Sequence, residues 1–204
     1  MQKTEAIIFD LGGVILNIDY NLTRNAFEKI GLKNFHNMYS QADADDLFSK
    51  LETGKISEQD FYNEFNKRTG LGLSSTQIES AWNAMLLTFR EKSLNFLDAL
   101  KPNYKLFLLS NTNHIHLNAF NKIYLEKKRD KPFEEYFDKA YYSCTVGLRK
   151  PNADIYEFVL KENELDAGRT LFVDDSAQNV ETARALGMQT ILLAPGEYIE
   201  DLPL

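Results

Sequence analysis

The sequence predicts an α/β fold, a doubly wound parallel sheet with a helical insertion. Short apolar runs of strand length recur near residues 6–9, 106–109, 139–143, 170–173 and 190–193, and turn residues bound them. Between them lie segments whose apolar positions repeat every three or four residues, the spacing of a helix with one buried face. From about Asn21 to Leu87 that helical spacing is unbroken by any convincing strand. Strands alternating with helices build a parallel sheet covered on both faces. The helical block therefore reads as an insertion of four short helices into a core of residues 1–16 and 91–204. The insertion spans 17–90, with bends expected near Asn17 and Phe89.

The elements follow in order. Ala6–Phe9 is a buried strand, and the glycine pair Gly12-Gly13 after Asp10 marks a tight turn. Leu22, Ala26, Phe27 and Ile30 line one helical face, with Gly31 as the stop signal. Leu47, Phe48 and Leu51 line the next, ended by Gly54. Ser57 three residues before Asp60 approximates a capping box, and Phe61 and Phe65 give that helix its buried side. Ile78, Trp82 and Met85 mark a fourth. The core pattern resumes with helix 94–100, the strand at 106–109, a helix around 119–124 and a solvated charged stretch at 126–131. A strand at 139–143, a helix at 153–161, the strand at 170–173, a helix at 179–186 closed by Gly187, and the strand at 190–193 complete it.

Composition narrows the function. The chain has 204 residues, 44% of them hydrophobic, enough for one full core. Thirty acidic against 23 basic residues give a net charge of -7, which argues against a nucleic-acid groove. A small phosphorylated substrate remains possible, because it needs only one or two local cations. The single cysteine, Cys144 in a β-like stretch, permits no internal disulfide and has no flanking base to make it a nucleophile. No signal-peptide pattern and no membrane-length apolar run is present. A cytoplasmic, monomeric protein is the expectation.

Four polar signals each close a strand-like run: Asp10, then Ser110-Asn111, then Lys150-Pro151, then Asp174-Asp175. In open parallel sheets, chemistry gathers beyond the carboxyl ends of the strands. A carboxylate can attack phosphorus and form an acyl phosphate. Two anions repel, so a divalent cation and an ammonium must neutralise the charge between them. Asp10 is the candidate nucleophile. Gly12 and Gly13 allow backbone groups close to a phosphate. Ser110 and Asn111 can donate hydrogen bonds, Lys150 supplies a compact positive charge, and Asp174 and Asp175 offer hard oxygens suited to Mg²⁺. Each short signal alone is weak; a strand-ending Asp is often only a helix cap. Their joint order is what carries weight.

In that order the residues resemble the haloacid dehalogenase superfamily, mostly Mg²⁺-dependent phosphatases. Phe9-Asp10-Leu11-Gly12-Gly13-Val14 matches its first motif, Leu109-Ser110-Asn111-Thr112 its second, Arg149-Lys150-Pro151 its third and Phe172-Val173-Asp174-Asp175-Ser176 its fourth. The chain is also similar to bacterial phosphatases of α-D-glucose 1-phosphate, sharing Ser110-Asn111-Thr112-Asn113 with His116, the Gly147–Pro151 run and Ile155-Tyr156. The resemblance implies a cap domain in the helical segment. It also implies a cation held by Asp10, the Gly12 carbonyl and Asp175, with Asp174 acting through water or orienting a neighbour, and Asn179 bracing the loop of the acidic pair. One position departs from the pattern. Family phosphatases usually carry an acid/base aspartate where this chain has Gly12. An easy leaving group, a substitute such as Asp19 or His114, or lost turnover would each accommodate that.

His114 and His116 are spaced poorly for one metal ion, and their plain roles are bordering the substrate mouth, packing or capping. Asp43–Asp46 lacks the glycine and glutamate of a calcium loop and reads as a solvated helix face. Trp82 reads as core, with sugar stacking as the minority role. Arg149 reads as support for the lysine loop. Three functional alternatives stand beside the phosphatase: a metal-free 2-haloacid dehalogenase, a phospho-accepting receiver and a silent binding protein. The retained acidic pair opposes the first, the order of the signals opposes the second, and Gly12 keeps the third open.

Overall fold

The computed structural model describes residues 3–33, 35, 38, 39 and 45–204. Five parallel strands form the central sheet: β1 (Ala6–Phe9), β4 (Lys105–Ser110), β5 (Lys139–Tyr142), β6 (Thr170–Asp174) and β7 (Gln189–Leu192), in the order β5-β4-β1-β6-β7. β1 is central because its two side-chain faces meet two different cores. Ile7 and Phe9 join Leu106, Leu108, Leu171 and Val173 in one cluster, while Ala6 and Ile8 join Phe107, Leu109 and Phe172 in the other. A strand buried on both faces must read as a continuous apolar run, as this one does.

Helices cover both faces. α5 (Glu91–Leu100) and α6 (His114–Leu125) contribute Leu94, Leu97, Phe120 and Tyr124 to the first cluster. α8 (Ala153–Glu162) and α9 (Ala177–Ala185) contribute Ile155, Val159 and Ala183 to the second. Chain order reverses at β1, which pairs with β4 on one side and β6 on the other, so a crevice opens past its carboxyl end. In register, Phe9 lies beside both Leu108 and Val173, which sets Asp10 level with Asp174 and one step short of Ser110.

Two expectations need correction. The strand expected over 139–143 ends at Tyr142. Ser143 opens a short helix, α7 (Ser143–Val146), so buried Cys144 is helical and not on a strand. The Ser143 hydroxyl turns the chain by bonding both the amide and the carbonyl of Thr112, each at 2.9 Å. The helical segment also contains strand structure at its borders. β2 (Leu16–Ile18) and β3 (Leu86–Phe89) form an antiparallel ribbon pairing Leu16 with Phe89, and the expected bends at Asn17 and Phe89 fall on it. Each strand is three or four residues long and pairs with a segment far along the chain, so no local periodicity announces it.

Within the segment, α1 (Tyr20–Lys29), α2 (Asp46–Glu52), α3 (Glu58–Thr69) and α4 (Ser75–Asn83) start at side-chain caps. Asp19, Asp45, Ser57 and Ser74 each accept from a backbone amide of the first turn. Their apolar faces converge on Phe27, Phe48, Phe61, Phe65 and Trp82, joined by Ile115 from α6. Asp46 pairs with Lys50 and Arg68, as a solvated face would; Asp43 lies outside the described residues. Among the described residues, no helix is long and apolar enough to cross a membrane.

Candidate active site

The sheet brings three of the sequence signals into direct contact. The ammonium of Lys150 lies 2.6 Å from Asp10 Oδ1 and 2.7 Å from Asp174 Oδ2, with only 1% of the lysine side chain exposed. Asp174 is fully buried and saturated with donors: the Ser176 amide at 2.8 Å and the Asn179 side chain at 3.0 and 3.1 Å complete its shell. Asn179 thereby stands where the resemblance placed it, bracing the loop of the acidic pair. Asn111 is tied to the lysine loop in both directions. Its Nδ2 donates to the Lys150 carbonyl at 2.8 Å and its Oδ1 accepts from the Lys150 amide at 2.9 Å. The Asn111 side chain thus positions the lysine loop, and neighbouring Ser110 lines the same cavity.

Gly13 has a left-handed backbone (φ +75°), and a Cβ there would fall 2.2 Å from Asp175 Oδ2. Glycine is required on both counts. Gly12 is different. Its missing Cβ would stand 3.0 Å from Ile18 Cδ1, so an apolar side chain fills the space beside it.

Carboxylate oxygens of Asp10, Asp174 and Asp175 lie within 4.8 Å of one another. Two of the three, Asp10 and Asp174, share the Lys150 ammonium. Burial, together with the charges of Asp174 and Asp175, pushes the Asp10 carboxyl up to about 7 despite the opposing pull of Lys150. Burial alone would lower the Lys150 ammonium, but Asp10 and Asp174 outweigh it and hold it above the usual lysine range. Hard oxygens from three carboxylates crowded this closely fit a divalent cation.

A cavity of about 90 Å³ opens above these groups and reaches the helical segment. Its far side carries residues that sequence reasoning missed as site residues: Tyr20, Tyr39 and Glu52. Glu52 is almost wholly buried, pairs with Arg149 at 2.9 Å and accepts from the Tyr39 hydroxyl at 2.8 Å. Arg149 therefore lies between the lysine loop and this helix-borne carboxylate. Nothing in the local sequence marks Glu52 beyond the Thr53-Gly54 that ends its helix.

The remaining candidates fall elsewhere. Asp19 spends its carboxylate on the amide of Asn21 at 2.9 Å, capping α1. His114 is exposed at the start of α6. His116 lines the cavity, stacks on Trp82 with ring centroids 4.5 Å apart, and bonds the Trp82 carbonyl through Nε2 at 3.2 Å. Burial lowers its pKa to about 4, so its ring is neutral at pH 7. Trp82 has no exposed face to offer a sugar.

A doubly wound sheet with an aspartate, a lysine and an acidic pair at its switch point defines a class of α/β hydrolases. The particular family is equally plain: the model of the haloacid dehalogenase-like hydrolases matches residues 4–187, and the chain belongs to that family. Among curated proteins, the chain is 31% identical to a D-ribitol-5-phosphate phosphatase of Bacteroides thetaiotaomicron, over 90% of this chain and 89% of the relative. A HAD family enzyme from the same organism, solved with magnesium and inorganic phosphate, superposes with a TM-score of 0.86 at 32% identity, covering 96% of this chain and 97% of that one. A HAD-like hydrolase of Porphyromonas gingivalis gives 0.86 at 34%, covering 96% and 94%. The L-2-haloacid dehalogenase of Xanthobacter autotrophicus shares the fold at a TM-score of 0.62 and 19% identity, covering 93% and 77%.

Proposed function

We propose that this hydrolase is a Mg²⁺-dependent phosphatase of a small phosphorylated sugar or sugar alcohol, working through an aspartyl-phosphate on Asp10. The observation that carries the reading is the Lys150 ammonium held between Asp10 and Asp174 at the floor of a cavity shared with Ser110. Asp10, the Gly12 carbonyl and Asp175 would hold Mg²⁺, with Asp174 orienting the lysine. When bound, the ion supplies positive charge that lets the phosphate and the Asp10 carboxylate approach. An Asp10 oxygen attacks phosphorus as the bond to the leaving oxygen breaks. Lys150 and the Ser110 hydroxyl hold the equatorial oxygens, whose charge grows in the transition state. Water then attacks the phosphorus of the acyl phosphate, releasing inorganic phosphate and restoring the Asp10 carboxylate.

Gly12 offers no proton to the departing oxygen, so that proton comes from water or from a cavity group. The helical segment, which covers the site, acts as the cap that holds the substrate. The polyol phosphatase relative supports a sugar or sugar-alcohol phosphate, with ribitol 5-phosphate and α-D-glucose 1-phosphate as first choices.

A phosphate-release screen over sugar phosphates and p-nitrophenyl phosphate with Mg²⁺ tests the reading. Turnover should vanish on complete chelation and fall at least about 10³-fold in Asp10→Asn, since a carboxamide is a poor nucleophile. Wild-type turnover in that variant would refute the nucleophile assignment.

A further inference from the structure

The far wall of the cavity is chemically unlike its floor. Tyr20 and Tyr39 come with the helical segment, Glu52 ends α2, and Arg149 precedes the catalytic lysine. Among the described residues lining the cavity, two side chains carry a permanent positive charge, Lys150 and Arg149. Lys150 is spent on Asp10 and Asp174. Arg149 is spent on Glu52, whose second oxygen is fixed by Tyr39. His116 adds no charge, being neutral in its buried stack. A substrate that places its phosphate over Asp10 therefore reaches, at its other end, a wall with no cation to spare and a buried carboxylate already paired.

The wall is also rich in hydrogen-bonding groups. Two tyrosines, a carboxylate that only accepts and a guanidinium that only donates line one small space. The Arg149 guanidinium and Glu52 Oε2 meet as an ion pair rather than a hydrogen bond, and both Arg149 Nε and Glu52 Oε2 are buried without a hydrogen-bond partner. Apolar Ile18, Met85 and Leu86 stand between wall and floor and suit the C–H faces of a carbon chain.

We propose that Tyr20, Tyr39, Glu52 and Arg149 select phosphomonoesters whose leaving group is uncharged and hydroxyl-bearing, and reject close analogues that carry a second anion there. The assignment rests on the phosphatase reading of the floor. Glu52 is the principal determinant: it neutralises Arg149, and it repels a carboxylate brought beside it.

Two matched pairs test this, each exchanging a CH₂OH for a carboxylate: α-D-glucose 1-phosphate against α-D-glucuronic acid 1-phosphate, and ribitol 5-phosphate against 5-phosphoribonate. p-Nitrophenyl phosphate, assayed alongside, reports on the floor alone. For the wild type, kcat/KM should favour the neutral member by on the order of 100-fold. In Glu52→Gln, Arg149 gains a free charge and the ratio should fall at least tenfold. Tyr39→Phe keeps both charges and should retain the preference. Turnover of p-nitrophenyl phosphate with no preference in either pair, or with neither neutral sugar phosphate accepted, overturns the proposal and leaves the phosphatase reading standing. So does an unchanged ratio in Glu52→Gln. Should that variant fail to fold, the wild-type ratio and Tyr39→Phe decide; a preference lost in Tyr39→Phe counts against the charge argument. No turnover of any ester, p-nitrophenyl phosphate included, removes the floor reading and the wall proposal with it.

Discussion

The floor and the far wall of one cavity are built on opposite plans. The floor places three carboxylates and one ammonium at the ends of adjacent strands, held by backbone register and by the shells of Asn111 and Asn179. Its crowded carboxylate oxygens are of the kind that suits a divalent cation. The wall balances its charges one to one, Arg149 against Glu52, and hangs them on helices and a loop from separate parts of the chain. Like charges crowd together on the floor, whereas opposite charges meet one to one on the wall.

The largest expected disruption is Lys150→Met. It leaves Asp10 and Asp174 buried beside Asp175 without their ammonium, and removing one partner of such a buried pair costs about 3–5 kcal/mol. Denaturant unfolding at pH 8 without added metal should show that loss, and turnover should collapse with it. Stability and activity at wild-type levels would show that the floor does not depend on charge balance.

Gly54→Ala sharpens the comparison from the side of the wall. Gly54 has φ +64°, and a Cβ there would fall 2.2 Å from the Cys144 carbonyl oxygen. The turn that ends α2, and Glu52 with it, would have to shift. A loss of about 1–3 kcal/mol is expected. The preference for neutral over carboxylate-bearing esters should weaken along with it, while an unshifted preference would show that Glu52 does not need this close approach.

The smallest effect concerns His116, at the junction of α6 with the helical segment. Its pKa falls from 6.5 to about 4 on burial. The folded state then binds fewer protons than the unfolded state, so the contribution of His116 is complete above pH 6.5 and is lost as pH falls towards 4. Asp10, raised to about 7, works with the opposite sign between its ordinary value and 7. The wild type must therefore be compared with His116→Phe, which keeps a ring against Trp82 and removes the titrating group. The stability difference between the two proteins should shrink as pH drops from 6.5 to 4. A difference independent of pH would mean that the ring titrates normally.

Much of the floor was legible in the sequence because strand-end chemistry is written locally. An apolar tetrapeptide ending in aspartate announces both the strand and the place where its side chain emerges. The sheet, its flanking helices and the helical insertion followed from the same periodicities. The ribbon of β2 and β3 was not legible, since each strand is defined by its distant partner. The helix at Cys144 was hidden because Ser143 turns the chain through a bond to Thr112 on another loop. The Asn111 side chain is committed to the lysine backbone, a contact between residues remote in sequence that no local pattern announces.

By itself the sequence determined the parallel sheet, the order of the charged strand ends and the absence of a carboxylate at Gly12, because backbone periodicity and side-chain identity are local properties. Tertiary structure alone decided that Ile18 fills the space beside Gly12, that Arg149 is spent on Glu52, and that Tyr20, Tyr39 and Glu52 of the helical segment line the same small cavity as Asp10. Those facts depend on which distant surfaces pack together. Packing is a property of the whole chain's buried area and charge pairing, and no window of neighbouring residues encodes it.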